Sequence, residues 1–293
     1  ELPFDLLIEY FSPIIPHNYK DSSLPITCFN FYFKPKSDKE IEISVGFIWP
    51  NLLGWRLPPM ASEAREGRQW PNHQNAGNSA KAVKTSPSEC HVVQSKRLAV
   101  MHKMDMLGKI VLSAKGSEDW DVTYHSSFRA NQITTGIDDK DQKATLAYAE
   151  NRFAEEGTFS NDNTNWSAHW HEPIASAVGG KTTLLPEKES KFLFTLTMDM
   201  PVTAFGSGRK WYKAYTRYFG TDYSNSVDIA KYALFMNEQW KDEIAAWHTD
   251  ELNNLGYLPP KVKGAQINEL YFVVAGGTVW VTRPIEGHET RLP

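Results

Sequence analysis

Glu269 is an acidic side chain set inside an apolar run. Ile267, Leu270, Tyr271, Val273 and Val274 crowd it in sequence, the amide of Asn268 stands beside it, and Gly276-Gly277 closes the stretch. A carboxylate buried without a partner costs several kcal/mol, and positions that bear such a cost are often sites of chemistry. The chemistry on offer is that of a fixed, mostly dry carboxylate. The same spacing fits a plainer arrangement, in which Glu269 faces a loop or caps a neighbouring segment, and it leaves both open. Asn268 is a donor in the neighbourhood. Successive helical residues point about 100° apart, however, so its amide does not face the Glu269 carboxylate on the same helix.

The other constellations are weaker. His169 and His171 form an H-x-H pair whose imidazoles would share one side of a strand, but no third ligand is placed with them. They read as surface or hydrogen-bonded histidines. His73, Cys90 and His91 match no common metal spacing and read as isolated surface residues. Ala177-Val178-Gly179-Gly180-Lys181-Thr182-Thr183 lacks the first glycine of a phosphate loop, and a β-hairpin turn explains it better. There is no G-x-S-x-G and no H-E-x-x-H. The expectation is therefore no metal and no cofactor. Asp199, Asp222, Asp250 and Glu286 match no acid/base motif.

Short strands surround these residues. Leu6–Phe11 is an apolar run ended by Pro13 and Pro16. Ile26–Phe33 is β-branched and aromatic, and Ile41, Ile43, Val45, Phe47 and Trp49 alternate with a period of two. Pro35–Lys39 between those two runs reads as a hairpin connection. Residues 54–96 lose apolar periodicity and read as a long loop or insertion. Strand-like segments return at Arg97–Met101, Lys109–Ser113 and Trp120–Phe128, and Ala144–Phe153 reads as a short helix. Phe192, Phe194, Leu196, Met198 and Met200 form another period-two face, broken by Pro201. Many short strands separated by turns predict a β-sandwich.

After Gly208 the period changes. Trp211, Tyr215 and Tyr218 recur at helical spacing. So do Ala230, Ala233, Leu234, Asn237, Trp240, Ile244 and Trp247, with Ser224 or Ser226 as N-cap. Pro259-Pro260 then opens the helix of Glu269, since proline is tolerated in a first turn. Gly276 suits the left-handed conformation that ends it. The predicted division is a sandwich over 1–205, with an insertion at 54–96, followed by helices over 206–293.

The 293 residues, 41% hydrophobic and 23% charged, are those of a globular protein of one large or two ordinary domains. A net charge of -4 and the lack of a basic block argue against a nucleic-acid partner. No stretch reaches about 18 apolar residues, as a spanning helix needs. Cys28 and Cys90 allow one disulfide without arguing for it, which fits a reducing compartment. The N-terminus lacks the basic region of a signal peptide, and a strand begins almost at once, so the chain is expected to be a piece of a longer protein.

Three blocks carry a resemblance. Asn268-Glu269-Leu270-Tyr271-Phe272 with Gly276-Gly277-Thr278-Val279-Trp280 resembles the nucleophile region of glycoside hydrolase family 116. That family includes the non-lysosomal glucosylceramidase and microbial β-glucosidases. Pro16-His17-Asn18-Tyr19-Lys20-Asp21-Ser22-Ser23-Leu24-Pro25 is similar to a block near the start of the family's N-terminal domain. Lys210-Trp211-Tyr212-Lys213-Ala214-Tyr215-Thr216-Arg217-Tyr218-Phe219-Gly220 is similar to the block before its catalytic domain. The blocks stand in the family's order. Two positions depart: Ala275 stands where the family usually carries an acid, and Met198-Asp199-Met200-Pro201 stands for Trp-Asp-Met-Pro.

The resemblance implies a fold that is mainly β with α: an N-terminal β-sandwich followed by the first helices of an (α/α)6 barrel. It implies retaining hydrolysis of a β-glucoside or glucosylceramide, with Glu269 as the nucleophile, and an acid/base aspartate in the later part of the barrel. Twelve helices of about 11–12 residues do not fit after Asn225, so that aspartate is expected beyond Pro293. The expected location is cytoplasmic, with a peripheral membrane contact left open. The alternative is a sandwich that binds carbohydrate, or braces a barrel, and performs no catalysis.

Overall fold

The structure, a computed structural model, describes residues 2–53, 77–96, 108–130, 145–164, 166–168, 173–205, 209–265 and 281–285. These are mainly β, in antiparallel sheets. A six-stranded sheet has the order β1-β2-β9-β6-β5-β4. Its strands are β1 (Phe4–Phe11), β2 (Ile26–Pro35), β4 (Asn78–Ser86), β5 (Glu89–Lys96), β6 (Lys109–Gly116) and β9 (Ser190–Asp199). A three-stranded sheet has the order β3-β8-β7, from β3 (Ile41–Pro50), β8 (Ile174–Leu184) and β7 (Asp121–Arg129).

The period-two runs place one face of each sheet in a common core. Phe33, Val92, Ile110, Leu112, Phe192 and Phe194 of the larger sheet meet Ile43, Val122, Val178 and Leu184 of the smaller one. Trp120 is wedged among them, 1% exposed, and its indole N–H donates to Ser190 Oγ at 2.9 Å. That bond satisfies the one polar group the indole brings into the core.

Four expectations change here. First, Pro35–Lys39 is no hairpin connection: β2 pairs with β1 and β9, whereas β3 pairs with β8, so the chain crosses between sheets at that point. Second, residues 78–96 are two paired strands, β4 and β5. Their inward side chains include Ala80, Ala82, Cys90 and Gln94, too small or too polar to give an apolar period. Asn78 is buried there and is satisfied by the carbonyls of Asn51 and Leu53. Third, Gly179 and Gly180 lie inside β8, not in a turn. A Cβ on Gly180 would collide with the Phe192 ring, and one on Gly179 would stand 2.8 Å from Val45 O. Fourth, Trp211 belongs to a strand rather than a helix.

Helices cover the outer faces. Helix α1 (Tyr19–Ser22) is a single turn. Helix α2 (Leu146–Glu156) starts at Thr145, whose hydroxyl accepts from Tyr148 N, and stops at Gly157 with φ of 70°. It lays Phe153 against Phe159, 4.7 Å between centroids, in the core outside the smaller sheet. Helix α3 (Thr216–Phe219) precedes the long α4 (Ser226–Asn254), which crosses the outer face of the larger sheet over β9 and β6. Neither Ser224 nor Ser226 caps α4: the cap position is Asn225, without a side-chain cap bond. A small sheet joins β10 (Val202–Phe205), β11 (Arg209–Lys213) and β12 (Val281–Pro284) in the order β10-β11-β12. Among the described residues no helix is long and apolar enough to cross a membrane.

Candidate functional site

Glu269 and Asn268 lie outside the described residues, as do His73, His169, His171, Glu286 and the strand expected at Arg97–Met101. What the structure describes is the frame on either side of them. Two of the three family-like blocks meet there. Leu24 of the first block and Tyr215 of the second share a buried core with Ile26, Cys28, Ile229, Ala233 and Trp240, and Ile15, Phe219 and Tyr232 pack against it. Strand β12 follows the third block in sequence and pairs with β11 of the second, Lys213 opposite Val281 and Trp211 opposite Pro284. Residues 214–280 therefore leave from β11 and return beside it.

Two buried carboxylates, Asp21 on α1 and Asp199 at the end of β9, hold this excursion against the rest of the fold. Asp21, 4% exposed, accepts three side-chain hydrogen bonds. Trp240 Nε1 reaches its Oδ2 at 2.9 Å, Asn18 Nδ2 the same oxygen at 2.9 Å, and Tyr232 Oη its Oδ1 at 3.0 Å. Lys20 closes the group, with Nζ donating to Tyr232 Oη at 3.2 Å and standing 4.2 Å from that ring's centroid. Bonds to an ionised oxygen are roughly twice as strong as neutral ones, which is how a carboxylate is kept in an otherwise apolar setting. The signal in the sequence was Asn18-x-x-Asp21 beside a turn. The partners Tyr232 and Trp240, more than two hundred residues on, had no local signal.

Asp199 is 2% exposed at the end of β9 and accepts from Tyr215 Oη at 2.7 Å. Burial pushes its carboxyl above the ordinary carboxylate range, and the Tyr215 hydrogen bond and the Lys109 charge pull the other way. Burial pushes the Tyr215 phenol up, with the Asp199 charge adding to it. Lys213 is lowered by burial and raised by Asp199. So Asp199 is engaged as an anchor. Asp222 is exposed and holds Ser224 through its backbone N–H and hydroxyl, and Asp250 is exposed on α4.

Cys90 and His91 are fully buried, not surface residues as their sequence setting suggested. Alternation on β5 sends Cys90 into the core between the sheets and His91 to the other face. His91 Nδ1 lies 2.8 Å from Ser113 Oγ, and His91 Nε2 lies 3.1 Å from Glu89 Oε1. Lys115 Nζ stands 3.1 Å from Glu89 Oε2. The order Ser–His–Glu has the connectivity of a hydrolytic triad, but Ser113 is fully buried, so a substrate cannot reach its hydroxyl and the group ties β5 to β6. Both thiols are free, and burial pushes Cys28 and Cys90 up to about 12.

A groove of about 460 Å³ opens beside β1, lined by Leu6, Leu7, Tyr32 and Phe33 with charged residues at its rim. Its carboxylates, Asp5 and Glu189, are exposed and paired with Lys36 and Lys34. Both stand in water, so neither is a dry carboxylate.

Residues 1–240 match a protein-family model described as beta-glucosidase 2, glycosyl-hydrolase family 116 N-term. The match takes in the six-stranded sheet, the β3-β8-β7 sheet, Asp21, Asp199 and α4 as far as Trp240, and it stops short of Glu269 and β12.

Proposed function

This chain belongs to glycoside hydrolase family 116 through its N-terminal domain, and from that premise we propose that it forms part of a retaining β-glucosidase in which Glu269 is the nucleophile. The supporting observation is the family match over residues 1–240, followed in the same chain by the nucleophile-like block Asn268–Phe272. The two sheets with their shared core are read as the family's β-sandwich, and α4 as the lead into its (α/α)6 barrel. In a retaining enzyme two carboxyl groups stand about 5–5.5 Å apart across the glycosidic bond. Glu269 attacks the anomeric carbon while an aspartic acid protonates the leaving oxygen. The same aspartate then takes a proton from the water that releases the sugar. The substrate proposed is a β-glucoside or glucosylceramide, met in the cytoplasm with a peripheral membrane contact.

The test is Glu269→Gln in the full-length polypeptide, assayed on an aryl β-glucoside. Loss of the nucleophile removes turnover by a factor on the order of a thousand or more. Near-wild-type turnover rules Glu269 out.

A second reading has one observation in its favour: the family match ends at residue 240, short of Glu269. On that reading the sheets bind carbohydrate or brace a barrel and do no chemistry. Glycan binding that persists unchanged in the Glu269→Gln protein, with no glucoside turnover by either the wild type or the variant, favours it.

A further inference from the structure

The two edges of the larger sheet are built differently. At the β4 edge, Asn163 stands where a further strand would lie: its Oδ1 accepts from Ala82 N at 2.7 Å and its Nδ2 donates to Ala82 O at 3.1 Å. Lys81 and Lys84 belong to that strand, and its register shifts between Lys84 and Ser86. Covering groups, lysines and bulges keep an edge from pairing with another chain. Among the described residues the β1 edge has none of these. Phe4–Phe11 holds no lysine, arginine or proline. It pairs with β2 residue for residue, from Phe4 opposite Pro35 to Phe11 opposite Cys28. Such a strand turns alternate N–H and C=O groups outward.

Apolar side chains accompany those groups. Leu6, Ile8 and Tyr10 lie opposite Phe33, Phe31 and Phe29, so they carry the core face of the sheet one strand further out. There they are 42%, 46% and 75% exposed, and Leu7 on the other face is 57% exposed. Covering these four side chains removes roughly 500 Å² from one copy and about 1,000 Å² from two, which reaches the lower limit for a specific interface.

We propose that β1 is a homodimer interface, on which β1 of a second copy pairs antiparallel across a two-fold axis and joins the two six-stranded sheets into one. Residues opposite each other share a face of a sheet, so a symmetric pair places one residue on the axis, facing itself. Leu7 on the axis sets Asp5 against Glu9, and Glu9 on the axis faces its own copy; like charges directly opposite are destabilising. Leu6 on the axis keeps only Phe4–Ile8 in the pair. Ile8 on the axis keeps Asp5–Phe11 in the pair, sets Leu6 against Tyr10 and Leu7 against Glu9, and opposes no like charges. That is the register the strand's own sequence favours.

The experiment uses the full-length polypeptide. Sedimentation at roughly 50 μM is expected to show a dimer, as a micromolar or tighter Kd gives. Ile8→Lys sets like charges face to face on the axis, and Tyr10→Lys sets a charge against Leu6. Each is expected to raise Kd on the order of thirtyfold or more, with the circular dichroism spectrum unchanged. Should one variant fail to fold, the other carries the test. Cross-linking reads the register: diamide takes two thiols to one disulfide and accepts their two hydrogens. Ile8→Cys is expected to be trapped as a dimer, because facing Cα atoms in a strand pair stand about 4.5–5.5 Å apart. Leu6→Cys is not, its two copies standing on the order of 13 Å apart along the strands. Cys28 and Cys90 are buried and do not compete. A wild type that sediments as a monomer overturns the proposal, and so does a dimer that both lysine variants leave intact. A disulfide through Leu6→Cys and not through Ile8→Cys overturns the proposed axis.

Discussion

Asp21 is a single side chain on which three donors converge, two of them from α4. Removing it strands the Trp240 N–H and the Tyr232 hydroxyl beside buried surface, so Asp21→Ala is expected to cost about 3 kcal/mol in chemical unfolding. Asp21→Asn keeps two acceptor lone pairs on one oxygen and should cost less. Glu89 gives a prediction in pH. The His91 hydrogen bond, with Lys115 behind it and burial opposing both, holds its carboxyl at about 2, below the ordinary 4.5. A folded-state value below the unfolded one stabilises the fold above about 4.5, and that contribution is lost as pH falls toward about 2. Glu89→Gln should therefore flatten the acid limb of the stability curve, which urea midpoints at about pH 5 and about pH 3 will show. None of this was legible around His91, because burial is a property of the strand's neighbours and not of the residues beside it in sequence.

Elements were readable where large apolar side chains alternate. Ile41–Trp49 and Phe192–Met200 announced β3 and β9, and Ala144–Phe153 announced α2 to within a few residues. They failed where the inward residues are small or polar, as in β4 and β5, and where a short polar connection passes between sheets rather than turning back, as at Pro35–Lys39. Glycines misled for a related reason. At Gly180 the missing side chain makes room for Phe192 and Trp120, a requirement set by strands distant in sequence. Gly180→Ala should accordingly destabilise the protein by about 1–3 kcal/mol through overpacking, visible as a lower thermal midpoint. The same substitution in a hairpin turn would act through backbone conformation alone.

At the scale of the molecule, α4 belongs to the sheet it covers. Ile229, Ala233 and Trp240 close the core that begins with Leu24, Ile26 and Cys28. A polypeptide of residues 1–205 lays those positions open to water, and is expected to aggregate or unfold noncooperatively. Residues 1–254 retain the cover and should unfold in one transition. Circular dichroism melts of the two check this. Two of the family-like blocks, far apart in sequence, converge on this same junction through Leu24 and Tyr215, which local periodicity could not have shown. The claim on which the functional reading stands is nonetheless about one acid in the excursion beyond α4. Its most direct test is peptide mapping of the full-length polypeptide after reaction with a fluorinated β-glucoside. A sugar bonded to the peptide through Glu269 is the predicted result, and an adduct on another carboxylate, or an intact enzyme that turns over without one, contradicts it.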